Sequence, residues 1–83
     1  MIDKSKIKLK VKEKPIVKKS IQTDFIRLDS FLKFCDAAQT GGHAKMIIQY
    51  GDAKVNGEVC TQRGKKLRTG DEVEVENVIY RLV

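Results

Sequence analysis

Apolar positions along this chain follow two different periods, and the change from one to the other marks out its elements. Leu28, Phe31, Leu32, Cys35 and Ala38 recur at i, i+3, i+4, i+7 and i+10, a single stripe that predicts a helix over 28–38. Asp29, in its first turn, suits the positive end of the helix dipole. The segment QTGG breaks this helix. A second, shorter helix is predicted at about 43–50, with Ala44, Ile47 and Ile48 facing inward. Gly51 stands where a left-handed residue would end it.

Beyond Gly51 the period falls to two. Lys54-Val55, Asn56-Gly57 and Glu58-Val59 spell a hairpin, because both turn residues need positive φ and Asn-Gly tolerates that best. Asn56 is read here as a turn residue alone. A polar loop, TQRGKKL, leads to a turn at Thr69-Gly70-Asp71. Glu72 to Val75 then alternates outward acid with inward valine, and VIYRLV closes the chain as a last strand.

The N-terminal segment is of another kind. In KIKLKVK, residues 6–12, lysine alternates with Ile7, Leu9 and Val11. This pattern fits an edge strand guarded by lysines. It fits equally an arm that orders on its ligand. Pro15 interrupts the run, and IVKKSIQ at 16–22 reads as a second extended piece. The expected division is a lysine-rich arm or edge strand at 1–15 and a folded domain at 16–83. The expected fold class is α+β, two short helices packed on one side of a small curled, mostly antiparallel sheet of about three to five strands.

A chain of 83 residues allows one small domain with a modest core and no cleft between domains. No apolar run approaches the roughly 18 residues of a membrane span. The basic start lacks the apolar stretch of a signal peptide, so a cytoplasmic protein is expected. Cys35 and Cys60 lack ligand spacing and the chain has 1 histidine, so neither a metal site nor a cofactor is expected. Cys35 belongs to the core stripe. Cys60 has no functional reading. Paired carboxylates, an activated nucleophile or a metal cluster cannot be assembled from these residues, and an enzyme is not expected.

Charge points to the partner. The net charge is +6. Eight lysines at 4, 6, 8, 10, 12, 14, 18 and 19, against Asp3 and Glu13, account for all of it. The rest is neutral but polarised: RGKKLR at 63–68 is wholly basic and DEVEVE at 71–76 wholly acidic among its charged positions. A basic tail and loop on a neutral body suggest a polyanion, nucleic acid first and anionic membrane second.

The stretch GGHAKMIIQ offers an anion a place. Gly41 and Gly42 let a phosphate approach the free N–H groups of the second helix, with His43 and Lys45 beside it. Alternatively Thr40 caps the helix and the glycines only make the turn.

In order and spacing, IRLDSFLKF, GGHAKMIIQYGDAKVNGE and KKLRTGDEVEV resemble the S4 RNA-binding domain, the αL motif family, and in particular its small stand-alone bacterial members. The likeness covers roughly residues 20–76 and rests on Arg27-Leu28-Asp29, Gly42-His43-Ala44, Gly51, Val55-Asn56-Gly57 and Gly70-Asp71. The family often has Ser-Arg at the start of the second helix, where this chain has Gly42-His43, and Lys45 can stand in for that arginine. The resemblance implies binding of structured RNA, ribosomal or transfer RNA, by the two-helix face and adjoining loop, with no catalytic domain. Ribosome assembly or translation would be the setting, ribosomal particles a possible partner, and a monomer the expected state.

Arg27, Lys33, Lys45 and Lys54, with Arg63, Lys65, Lys66 and Arg68, would form one positive face if the 63–68 connector folds back beside the helices. Taken alone, Lys33 reads more readily as a solvated helix residue. Aromatic residues are few and Phe31 belongs to the core, so shape and phosphate recognition is expected rather than base stacking. Two other classes stay open. One is a β-grasp-like interaction module, without carrier chemistry because Tyr80-Arg81-Leu82-Val83 is not a Gly-Gly end. The other is a DNA-binding helix pair.

Overall fold

The computed structural model describes residues 14–83. The alternating lysine run at 6–12 lies outside them. Among the described residues the elements run β1 (Ile16–Lys19), β2 (Ile26–Arg27), α1 (Leu28–Phe34), α2 (Gly41–Gln49), β3 (Ala53–Val55), β4 (Glu58–Val59), β5 (Lys66–Leu67), β6 (Glu72–Val75) and β7 (Val78–Leu82). Five strands make one sheet in the order β1-β7-β6-β3-β4, and β2 pairs with β5 in a separate ribbon. The sheet is antiparallel except where β1 lies parallel to β7. The α+β expectation, helices on a small mostly antiparallel sheet, holds.

Alternation sorts the sheet's two faces. Ala53, Val55, Val73, Val75 and Leu82 are buried and join one core with Leu28, Phe31, Leu32, Ala44 and Ile48 of the helices. The helices therefore cover that face. On the other face the register sets Lys54 opposite Glu74, and Glu72 opposite Arg81. The Arg81 guanidinium bonds the Glu72 carboxylate at 2.6 Å, and the Lys14 ammonium bonds Glu74 at 2.7 Å. Burying each large apolar side chain contributes about 1.5–3 kcal/mol.

The first helix is shorter than its stripe. It ends at Phe34, not at 38, because Asp36 takes a left-handed φ of 61°. The Asp36 N–H then donates to the Lys33 carbonyl and the Ala37 N–H to that of Leu32, a Schellman closure. Cys35 and Ala38 stay buried although they are outside the helix. Burial at Cys35 pushes its thiol up to about 11, with Lys19 opposing weakly. Gly51 closes α2 by the same device, as expected, with its N–H on the Ile48 carbonyl and that of Asp52 on Ile47.

The second helix starts two residues earlier than the 43 expected. Both glycines are in its first turn and Thr40 is its cap. The Asn56-Gly57 hairpin forms as read, with φ of 52° and 89°. A second two-residue hairpin, Glu76-Asn77, joins β6 to β7 with φ of 53° and 66°.

Candidate nucleic-acid interface

The first N–H groups of a helix need acceptors from outside the helix. In α1 the cap residue Arg27 supplies no side-chain acceptor. The connector does it instead. The Leu28 N–H donates to the Lys65 carbonyl at 2.8 Å and the Asp29 N–H to the Arg63 carbonyl at 3.1 Å. The Ser30 N–H donates to the Asp29 carboxylate at 2.7 Å. The basic segment is thus fastened by its own backbone to the positive end of a helix, and its four basic side chains remain exposed.

The β2–β5 ribbon fixes which way those side chains point. Ile26 pairs with Leu67 and Arg27 with Lys66. Leu67 is buried and Ile26 packs against the core. Period two then turns Arg27, Lys66 and Arg68 outward, and the continued register sets Phe25 across from Arg68. The Lys66 ammonium lies 4.8 Å from the Phe25 ring centroid and the Arg68 guanidinium 5.8 Å from it. Arg27 is steadied by two bonds to the Asp29 carboxylate, 3.2 and 3.0 Å. Gly64 faces that guanidinium, so a side chain added there would come within 3.8 Å of it.

Of the anticipated residues, Arg27, Arg63, Lys65, Lys66 and Arg68 come together here. Lys33 is exposed in the last turn of α1. Gly41, Gly42, His43 and Lys45 line the exposed start of α2. That start is not bare, as the alternative reading allowed. The Thr40 hydroxyl oxygen accepts the His43 N–H at 3.0 Å, and His43 Nδ1 accepts the Gln39 N–H at 3.3 Å. Lys54 stands apart, opposite Glu74 on the sheet face turned away from the helices.

Two participants escaped the sequence reading. Phe25 carries a weak signal, an aromatic two positions before an arginine. Asn56 is more than a turn residue. Its amide donates to Asp71 and its carbonyl accepts the Glu72 N–H, while the other Asp71 oxygen accepts the Arg68 N–H. The acidic run therefore begins by anchoring the end of the basic one. Among the described residues, no group of three His, Cys, Asp or Glu side chains is placed to hold a metal ion. No helix among them is long and apolar enough to cross a membrane.

Two short helices on one face of a small sheet, with a cationic ribbon stapled to the first helix, define a small α+β module with one basic surface. A family model described as the S4 domain matches residues 19–83, and the chain belongs to that family. It is 46% identical over 57 residues to a Bacillus subtilis (strain 168) protein named "Probable ribosome maturation protein RlbA"; the match spans 69% of this chain and 80% of that protein.

Proposed function

We propose that this chain is a non-catalytic, cytoplasmic RNA-binding protein that recognises structured RNA, ribosomal RNA before transfer RNA, during ribosome maturation. The observation that carries the reading is the docking of the 63–68 connector on the first N–H groups of α1. With the β2–β5 pairing, it brings cations that are scattered along the sequence beside the start of α1. Arg27, Arg63, Lys65, Lys66 and Arg68 supply phosphate contacts there, and the exposed start of α2, with Gly41, Gly42, His43 and Lys45, and Lys33 of α1 extend them. S4 family membership and the similarity to a ribosome maturation protein support the choice of RNA over other polyanions. Phosphate and shape contacts of this kind suit folded RNA, whose deep major groove side chains cannot read. The lysine-rich residues 1–15 add sequence-independent attraction.

The experiment is a titration of the purified protein with ribosomal RNA, transfer RNA and duplex DNA of equal charge over a salt series. Ribosomal RNA should bind most tightly. Neutralising six to eight phosphates would cost roughly a thousandfold in affinity between low and moderate salt. Equal binding to all three would make the protein a general polycation, and no binding at low salt would end the RNA reading.

A further inference from the structure

We propose that Phe25 is a positioning residue for RNA binding: its ring holds the Lys66 and Arg68 head groups at the spacing in which they meet the phosphate backbone. The inference deepens the RNA reading above and rests on it.

Phe25 is 38% exposed, although a phenyl ring of this size gains by burial. It is not among the residues that form the core or pack against it. Its surroundings supply the reason. The ribbon turns Arg27, Lys66 and Arg68 to one side; Asp29 offsets the charge of Arg27, and the like charges of Lys66 and Arg68 are left to repel each other. A ring placed among them offers the negative face of its quadrupole. Lys66 at 4.8 Å and Arg68 at 5.8 Å both lie within range of that attraction. The backbone is fixed as well, since the Thr23 hydroxyl donates to the Phe25 carbonyl at 2.8 Å. Long cationic side chains lose rotamer freedom when they bind, and a ring that already restricts them reduces that loss. Phe25 therefore orders the two cations before RNA arrives.

The test compares Phe25→Leu, which keeps the apolar bulk and removes the π face, with Phe25→Tyr, which keeps both. Each is made in the native chain and in a Lys66→Ala, Arg68→Ala background. Binding of a labelled duplex-RNA hairpin is titrated at several salt concentrations, with a thermal melt as the folding control. Phe25→Leu should weaken binding roughly fivefold in the native chain. Phe25→Tyr should restore it, and Phe25→Leu should change nothing further once both cations are gone. The proposal falls if Phe25→Leu binds like the native chain, if Phe25→Tyr loses as much, or if the loss persists without the cations. Native protein that does not bind the hairpin at low salt removes the RNA reading and this inference with it. Native binding with an indifferent Phe25→Leu removes the inference alone.

Discussion

The side-chain amide of Asn56 donates to the Asp71 carboxylate across 3.1 Å, although 15 positions of chain separate them. The same side chain accepts the Glu72 N–H at 2.9 Å, and Asp71 accepts the Arg68 N–H at 2.8 Å. The Asn-Gly hairpin and the Gly-Asp turn are one hydrogen-bonded unit, and the end of the basic connector hangs from it.

That unit predicts a graded stability series at Asn56. Asn56→Gly keeps the left-handed backbone but removes two side-chain hydrogen bonds, and should cost about 1–2 kcal/mol. Asn56→Ala removes the same bonds but keeps a Cβ at positive φ without the tolerance of that region that Asn has, and should cost about 1 kcal/mol more than the Gly variant. Chemical denaturation of the two variants measures the difference. Equal losses would mean that backbone strain contributes nothing.

The connector predicts a separation of binding from folding. Its bonds to α1 come from the backbone carbonyls of Arg63 and Lys65. Lys65→Ala, Lys66→Ala and Arg68→Ala together should therefore leave the fold intact. RNA affinity should fall by about tenfold or more at moderate salt, and the salt slope should shrink by about two to three. Circular dichroism and a binding titration check the two halves. Loss of structure would show that the side chains, not the carbonyls, hold the connector.

The β6–β7 hairpin predicts a stabilising change. Glu76 and Asn77 both have positive φ, a geometry that Glu adopts at a cost. Replacing the pair with Asn-Gly should raise stability by about 1 kcal/mol, read as a higher denaturation midpoint with unchanged slope. A destabilised variant would show that the Glu76 side chain makes a contact that outweighs the strain.

Glu74 predicts a pH dependence. Its pKa is lowered from 4.5, first by the hydrogen bond from Lys14; desolvation opposes this, and the charges of Lys14 and then Lys54 lower it further. A group whose folded pKa lies below the unfolded one stabilises fully above the unfolded value. That stabilisation is lost as pH falls from about 4.5 through the folded pKa. The native melting temperature should drop over that window, and Glu74→Gln should flatten the part of the drop that this pair supplies. An identical drop in Glu74→Gln would assign the acid sensitivity to other carboxylates. The effect is small because the pair is exposed.

Much of this was legible from local pattern. The stripe of Leu28, Phe31 and Leu32, the inward Ala44 and Ile48, the stop at Gly51 and the Asn56-Gly57 hairpin each depend on residues within a turn or two. The end of α1 was not. The apolar period runs on to Ala38, but Asp36 accepts a left-handed conformation that closes the helix, and Cys35 and Ala38 reach the core from the loop. Thr40 was legible only as one of two choices, since Thr before two glycines leaves open whether its side chain caps the helix or the first N–H groups stay free for an anion.

The order of the elements, the hairpin and the excess of positive charge are set by the sequence itself, because period, turn chemistry and composition act between near neighbours. Tertiary structure alone decided that β1 runs parallel beside β7, that the two-residue strands β2 and β5 pair, and that Asn56 meets Asp71. Each joins segments distant along the chain, and such contacts become favourable only after the core has met the entropy of closing the loops between them. The cationic surface belongs to that second group: its charges were visible from the start, but the common direction of Arg27, Lys66 and Arg68 came from the pairing of β2 with β5, beside a connector whose carbonyls cap α1.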